Sequence, residues 1–102
     1  MNVLIVGAGI GGLTTAIALR RAGVDVTVHE QAPELREVGA GISLWPNAIK
    51  VLRELGVGDA VENAGRQVTG AETRDWRGAI LHSSPVDELA GRFGAPLVMV
   101  HR

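Results

Sequence analysis

The sequence has no cysteine among its 102 residues. That absence excludes disulfide bonds, thiol catalysis and thiolate metal sites, and it fits the reducing cytoplasm that we predict as the location. An excess of one charge is also lacking, since ten Lys and Arg residues face eleven Asp and Glu residues. This balance supplies no electrostatic field that would attract nucleic acid or an acidic membrane surface, so we expect neither as a partner.

A long uncharged run, Val3 to Leu19, is the segment most easily mistaken for a membrane span. Glycines interrupt it, and Arg20-Arg21 follow it, whereas a signal peptide carries its basic residues in front. We therefore expect neither membrane insertion nor secretion. His, Asp and Glu also lack the spacing of metal ligands, so the sequence predicts no metal site.

Glycine is the residue in excess, with 14 of 102 positions, about double the usual share of ~7%. The length allows one domain at most, and 46% hydrophobic residues exclude a disordered chain. Near the start, Val3 to Val6 predicts a strand buried on both faces. A helix from Leu13 to Arg20, ended by Gly23, and a strand from Val24 to Glu30 follow. This order predicts a right-handed βαβ unit with parallel strands.

The remaining sequence predicts short elements around a second glycine loop, Gly39 to Ser43. Pro46 suits the first turn of a helix whose apolar stripe ends near Gly56. The other predicted elements are a connector with at most one helical turn (Ala32 to Val38), a helical piece (Gly58 to Ala64), a β-hairpin (Gln67 to Arg74 and Ala79 to Ser83, joined at Asp75 to Gly78), a helical turn (Val86 to Leu89) and a final buried strand (Leu97 to Val100). These give an α/β fold with two or three parallel strands plus a hairpin. Because a parallel sheet needs both faces covered, we infer an incomplete domain.

The first glycine loop, Gly7 to Gly12, matches the pattern G-x-G-x-x-G. Gly7 makes the tight turn, Gly9 admits a diphosphate against the backbone, and Gly12 lets helix and strand pack closely. The helix N-terminus offers free N–H groups and a positive dipole end to that diphosphate. Glu30, at the end of the second strand, can accept hydrogen bonds from ribose hydroxyls and repel a 2′-phosphate. The unit therefore predicts a site for FAD or NAD rather than NADP.

The segments Val6 to Leu13 and Gly39 to Ala48, together with Glu30, resemble the N-terminus of FAD-dependent aromatic-ring hydroxylases. These are single-component flavoprotein monooxygenases such as salicylate hydroxylase. The resemblance covers essentially the whole chain, and it implies that residues 1–102 are the N-terminal part of a Rossmann-like FAD-binding domain. The rest of that domain and the substrate-binding part would be absent. The FAD contacts that the resemblance implies are Gly7, Gly9, Ile10, Gly11, Gly12, Glu30, Ala40, Gly41, Ser43 and Arg102.

Three polar candidates also fit roles that involve no cofactor. Ser43 can donate to a ribityl or phosphate oxygen, or it can cap the helix that Pro46 opens. Arg36, which we add as a candidate for the adenosine side, can equally be a solvated side chain of the connector. Arg102 can pair with an anionic group of the cofactor or be a disordered terminal residue.

No residue stands out as a proton-transfer catalyst, so the catalytic residues stay unknown. His29 is expected to pack or to lie on the surface, and His82 lacks the serine and carboxylate of a triad. Trp45 and Trp76 are expected to pack in a core or at a domain interface rather than to stack on a ligand.

The resemblance implies that the complete protein uses NADH or NADPH to reduce FAD and O2 to form a flavin C4a-hydroperoxide. That species would hydroxylate a small aromatic substrate. The partner of the present chain would be the remainder of the same enzyme, and the 102-residue chain alone is expected to be inactive. Three alternatives stay open: another FAD-dependent oxidoreductase of epoxidase or amine-oxidising type, a non-catalytic FAD-binding fragment, and an NAD-linked dehydrogenase.

Overall fold

The structure, a computed structural model, describes residues 1–36 and 39–101. The chain divides into two compact units, Met1–Glu37 and Val38–Arg102. Arg102, one of the predicted cofactor contacts, lies outside the described residues. Within those described ranges, no helix has both the length and the apolar character needed to cross a bilayer.

The first unit is the predicted βαβ arrangement. Its elements are β1 (Asn2–Val6), α1 (Ile10–Arg21) and β2 (Asp25–His29). The two strands pair in parallel, and α1 contacts both of them. Gly23 follows the C-cap of α1 with a φ of 80°, a left-handed conformation that ends the helix at low cost because glycine has no Cβ. The local signals in this segment are therefore confirmed.

One face of β1 differs from the expectation of a strand buried on both faces. Leu4 is 61% exposed and Val6 is 84% exposed, whereas Val3 and Ile5 on the other face are half-buried. In this unit a single helix packs on a two-stranded sheet, and one helix covers only one face. The connector also differs from the helical turn considered for Ala32 to Val38. Residues 31–34 form bends, residues 35 and 36 are irregular, and residues 37 and 38 are outside the described ranges.

The second unit combines two antiparallel sheets with three short helices. Its elements are β3 (Gly41–Leu44), α2 (Pro46–Glu54), α3 (Gly58–Ala64), β4 (Arg66–Gln67), β5 (Ala71–Arg74), β6 (Ile80–Ser84), α4 (Glu88–Phe93) and β7 (Val98–His101). One sheet has the strand order β3-β7-β4, and the other is the hairpin β5-β6. The helix that Pro46 opens, the helical piece after Gly58 and the hairpin are confirmed.

The last strand corrects the expectation of a third parallel strand. β7 lies between β3 and β4 and is antiparallel to both, with Ser43 opposite Met99 and Gln67 opposite Val98. The segment predicted as a second glycine loop is therefore a strand from Gly41 onward. Gln67, predicted in the first strand of the hairpin, belongs to β4 of this sheet. An apolar run predicts a buried strand, but it does not specify the partner or the direction of pairing. The helical turn predicted over Val86 to Leu89 belongs to a longer helix, because α4 continues to Phe93.

The core of the second unit lies where α2 and α3 pack near β7. Ile49 is fully buried, and Ala95 and Val98 are each 2% exposed. Leu44, Val61 and Val100 pack around them. The tryptophans do not join this core, since Trp45 is 56% exposed and Trp76 is 87% exposed. The expectation that they pack in a core is therefore wrong, because aliphatic side chains fill the interior of this unit. Packing at a domain interface stays a prediction.

Arg53 joins three segments of the second unit. Its Nε and Nη2 atoms donate to the Glu62 carboxylate at 3.0 and 2.6 Å, and its Nη1 atom donates to the Gly94 carbonyl at 3.0 Å. These bonds connect α2 with α3 and with the residue that ends α4. Hydrogen bonding to Arg53 lowers the pKa of Glu62, and the same contact raises the pKa of Arg53. The pair is therefore ionised on both sides at neutral pH.

Gly65 tests the packing of the second unit. A Cβ atom on this residue would lie 2.6 Å from a Val98 methyl carbon and 2.8 Å from the Met99 carbonyl oxygen. We expect Gly65→Ala to lower the free energy of unfolding by about 1–3 kcal/mol, because the core and the backbone of β7 must move to admit the methyl group. Urea unfolding measures this change.

The matched control is Gly91→Ala, inside α4, where a Cβ atom would meet no other atom within 4 Å. We expect no loss of stability there and a gain of up to about 0.5–1 kcal/mol, since alanine favours helix. Equal losses in the two variants would contradict the packing described for Gly65.

Glu62 predicts a pH dependence of stability. The pKa of Glu62 is lower in the folded chain than in the unfolded chain. Its ionised carboxylate therefore adds to the free energy of unfolding above the ordinary glutamate pKa of about 4.3, and this addition is lost as the pH falls through the pKa of the folded chain. Glu62→Gln should therefore reduce stability at pH 7 and flatten the decline between about pH 5 and pH 3. Urea unfolding midpoints of the wild type and of Glu62→Gln, measured across that range, test this prediction. A parallel decline of the two midpoints with falling pH would refute it.

Candidate cofactor site

The glycine loop between β1 and α1 is shaped by its first and last glycines. Gly7 has a φ of 101°, and its N–H donates to the His29 carbonyl at 2.7 Å. A Cβ atom on Gly12 would overlap the Gly7 carbonyl oxygen and lie 3.1 Å from the carbonyl carbon. Both residues must therefore be glycine for geometric reasons, as the sequence predicts for a tight turn and a close helix–strand contact.

The N-terminus of α1 presents unpaired N–H groups to the surface. The first hydrogen bond of the helix runs from the Leu13 N–H to the carbonyl of Gly9, so the N–H groups of residues 10–12 have no partner within the helix. No acidic residue lies in the first turn, and no side chain caps it. Added Cβ atoms on Gly9 and Gly11 would meet nothing within 4 Å. This helix end is open to an anionic group, which the aligned peptide dipoles favour.

Glu30 lies directly after β2, and its carboxylate bonds to backbone on two sides. Oε2 accepts from the Ala8 N–H at 2.8 Å, and Oε1 accepts from the Ala32 N–H at 3.0 Å. The bonds from Ala32 and then Ala8 lower the pKa of Glu30 against a smaller effect of desolvation. The side chain is exposed, so at neutral pH it offers an ionised acceptor next to the glycine loop. The sequence predicted the acceptor but missed the backbone donors, because no sequence pattern marks an alanine N–H.

The two remaining candidates of the first unit are exposed. Ile10 is 48% exposed at the start of α1. Arg36 pairs with Glu34, and its Nε donates to the Glu34 carboxylate at 2.9 Å. An exposed ion pair two residues apart fits the solvated side chain considered for Arg36, and it leaves contact with a cofactor as an untested prediction.

In the second unit, the candidates lie at the start of β3. Ala40 is exposed after Gly39, which has a φ of 96°. Gly41 is within β3, and a Cβ atom there would make ordinary contact with the Val100 carbonyl oxygen at 3.5 Å. Ser43 is exposed on the same strand. It is not the cap of α2, whose N-cap residue is Trp45 without a side-chain hydrogen bond, so the capping role considered for Ser43 is wrong.

The histidines His29 and His82 lie on exposed positions of two strands. His29 is exposed on β2. His82 Nε2 lies 2.9 Å from Ser84 Oγ on β6, and this hydrogen bond joins an exposed histidine to a half-buried serine two residues away on the same strand. Residues 1–36 and 39–101 also hold no cluster of three His, Asp or Glu side chains that could bind a metal ion.

A shallow apolar cleft in the second unit was not predicted. It has a volume of about 310 Å³ and is lined by Trp45, Pro46, Asn47, Leu89 and Phe93. The exposed indole of Trp45 forms one wall, whereas the sequence predicted a packed position for this side chain. The sequence shows one sign of this cleft, an aromatic residue directly before the helix α2. Which side of α2 is left uncovered depends on its contacts with α4, and the sequence does not show those contacts.

Comparison with known proteins assigns the family. The model of a family described as FAD binding domain matches residues 1–90. The chain belongs to this FAD-binding family. The predicted resemblance is thereby confirmed for the cofactor domain, and the open alternative of an NAD-linked dehydrogenase is not supported.

Curated relatives and a solved structure match the whole chain. It is 46% identical over 102 residues to an aurachin C monooxygenase/isomerase of Stigmatella aurantiaca and 43% identical over 104 residues to a 3-amino-4-hydroxybenzoate 2-monooxygenase of Streptomyces cremeus. The Klebsiella pneumoniae protein HpxO, solved with FAD and uric acid, is 37% identical over 100% of the chain, with a TM-score of 0.91. The chain spans 26–27% of the length of these proteins. The expected partial, Rossmann-like α/β fold is confirmed by this likeness.

Gly12 provides the test of the loop geometry. We expect Gly12→Ala to destabilise the chain by about 1–3 kcal/mol, because the methyl group cannot share space with the Gly7 carbonyl. Gly11→Ala, one residue earlier in the same helix turn, meets no atom within 4 Å and should keep or raise stability. Thermal unfolding of both variants measures the difference. A Gly12→Ala variant as stable as the wild type would contradict the close contact between Gly12 and the Gly7 carbonyl.

Proposed function

We propose that this chain is the FAD-binding portion of a FAD-dependent monooxygenase that hydroxylates a small aromatic substrate. The observation that carries the proposal is the likeness of the whole chain to HpxO, which was solved with FAD and uric acid. The curated relatives named as monooxygenases support it, one of them for 3-amino-4-hydroxybenzoate. Both named compounds are small, polar aromatic rings, and we propose the same class of substrate here.

The first unit fits the adenosine diphosphate part of FAD. We propose that the N–H groups of Ile10, Gly11 and Gly12 hold the diphosphate, for which Gly9 leaves open space. Glu30 supplies an ionised acceptor for the adenosine ribose. The charge of this carboxylate disfavours a 2′-phosphate at the same place. The donors, the acceptor and the absence of an acidic residue from the first helical turn therefore suit the cofactor.

The remaining predicted contacts are proposals without support from a described contact. The resemblance implies Ala40, Gly41, Ser43 and Arg102, and Arg36 is our own addition for the adenosine side. Of these, Gly41 and Ser43 have exposed positions on β3, which leaves the serine hydroxyl accessible to a ribityl or phosphate oxygen.

FAD, when bound and reduced by NADH or NADPH, supplies the activation of O2, and the protein positions the groups around it. The electron donor, the use of O2 and the oxygen-transfer route stay predictions, as does a cytoplasmic location. We propose that the remaining length found in the relatives supplies the substrate-binding part. The described residues hold no cluster suited to proton transfer, so we expect the 102-residue chain to bind FAD without hydroxylating a substrate.

FAD binding is tested with Gly9→Val, a variant chosen to spare the fold. Gly9 has a φ of −75°, which any residue adopts, and a Cβ atom there meets nothing within 4 Å. The valine side chain would occupy the space proposed for the diphosphate. We expect wild-type chain to bind FAD in preference to NADP⁺, and Gly9→Val to weaken FAD binding at least about tenfold with unchanged thermal stability, as loss of charged hydrogen bonds predicts. Isothermal titration calorimetry measures the affinities.

Gly91→Val in α4 is the matched control, since it adds the same side chain at an open position of the other unit. Equal FAD affinity in wild type and Gly9→Val would place the diphosphate elsewhere. Product analysis with the full-length protein separates the activities: a hydroxylated ring with NADH or NADPH consumption supports the proposal, and an epoxide or an oxidised amine supports another FAD-dependent oxidoreductase.

A further inference from the structure

The carboxylate of Glu30 already accepts hydrogen bonds from its own backbone before any ligand is considered. Ala8 lies within the glycine loop, and Ala32 lies in the connector after β2; each donates its N–H to a different carboxylate oxygen, at 2.8 and 3.0 Å. The N–H of Gln31 also bonds to this carboxylate. An ionised carboxylate has about four acceptor positions, so a position is left for an external donor. The same side chain can therefore bind its own backbone and a ribose hydroxyl together.

The start of the glycine loop is attached to the end of β2 at two consecutive residues. The N–H of Gly7 donates to the carbonyl of His29 at 2.7 Å, and the N–H of Ala8 donates to Glu30. The first bond is between backbone atoms and needs no particular side chain. The second exists only because residue 30 carries a carboxylate of glutamate length. The loop residue after Gly7 is thus held by a side chain, whereas Gly7 itself is held by backbone.

We propose that Glu30 is a positioning residue that fixes Ala8 and the first half of the glycine loop, together with Ala32, independently of the cofactor. This role is additional to accepting a hydrogen bond from ribose, and only its consequence for FAD rests on the proposed function. A loop fixed in advance loses less conformational freedom on binding, which favours affinity.

Only an ionised carboxylate satisfies both of these donors, Ala8 and Ala32. In Glu30→Gln the amide would turn its NH2 group toward one of the two N–H groups, so at least one contact must be lost.

The titratable groups on the neighbouring elements are few. β1 and the glycine loop contain no charged side chain, and α1 carries its two arginines in its last turn, at the end away from the loop. β2 contributes Asp25 and His29, and the described connector contributes the paired Glu34 and Arg36. The backbone donors dominate the ionisation of Glu30.

The test is a pH titration of the wild-type chain by ¹⁵N–¹H NMR without cofactor. We expect the amide resonances of Ala8 and Ala32 to shift together, with one midpoint below the ordinary glutamate pKa. In Glu30→Gln this shared titration should vanish. Hydrogen exchange should accelerate about tenfold or more at Ala8 or at Ala32, whichever amide faces the new NH2 group, as loss of a bond to a charged acceptor predicts. Glu34→Gln, an exposed carboxylate of the same connector, is the control and should leave the Ala8 amide unchanged.

Ala8 and Ala32 amides that do not follow a common titration in the wild type overturn the proposal, and this measurement does not depend on the stability of any variant. Unchanged exchange at both Ala8 and Ala32 in Glu30→Gln overturns it too. FAD affinity separates the two claims. If Glu30→Gln weakens FAD binding while both amides are undisturbed, Glu30 binds ribose only. If the shared titration is present but the wild type binds no FAD, the positioning role stands and the proposed function fails.

Discussion

At Gly12 the first turn of α1 lies against the carbonyl of Gly7 without room for a single additional carbon atom. This close approach fixes where the helix begins relative to β1, and it therefore fixes the direction in which the free N–H groups of α1 point. The left-handed conformation of Gly7 and the hydrogen bond from its N–H to His29 follow from the same tight turn. The diphosphate site that we propose for the first unit depends on this contact between two glycines, with the Glu30 carboxylate placed beside the loop by the end of β2.

The first unit could be predicted closely because its signals are local. The spacing of apolar residues, the glycine pattern and the position of Gly23 each report on neighbours in sequence, and the structure agrees with all three. Failures occur where long-range contacts decide. The exposure of Leu4 and Val6 depends on what packs over the strand, and an apolar strand pattern carries no such information.

The second unit shows the same limit more strongly. A buried strand after Leu97 was predictable from its residues, whereas its antiparallel pairing with β3 and β4 was not, since pairing direction depends on distant segments. The tight positions of Gly58 and Gly65 were also invisible in the sequence. Each glycine is required by an atom of another element, the Arg53 backbone for Gly58 and the Met99 carbonyl for Gly65. The glycine pattern and the resemblance predict candidate site residues, but they do not predict the backbone donors that bond to Glu30, because those depend on how the loop and the connector fold.

Arg53 has a consequence for how homologous sequences are compared. Its guanidinium holds the two Glu62 oxygens with one pair of nitrogens and the Gly94 carbonyl with the third. A lysine carries the same charge at a single nitrogen and lacks the planar fork, so it cannot reproduce these contacts together. An exchange of arginine for lysine at this position, which most substitution scores treat as neutral, would uncouple α2 from the residues that follow α4.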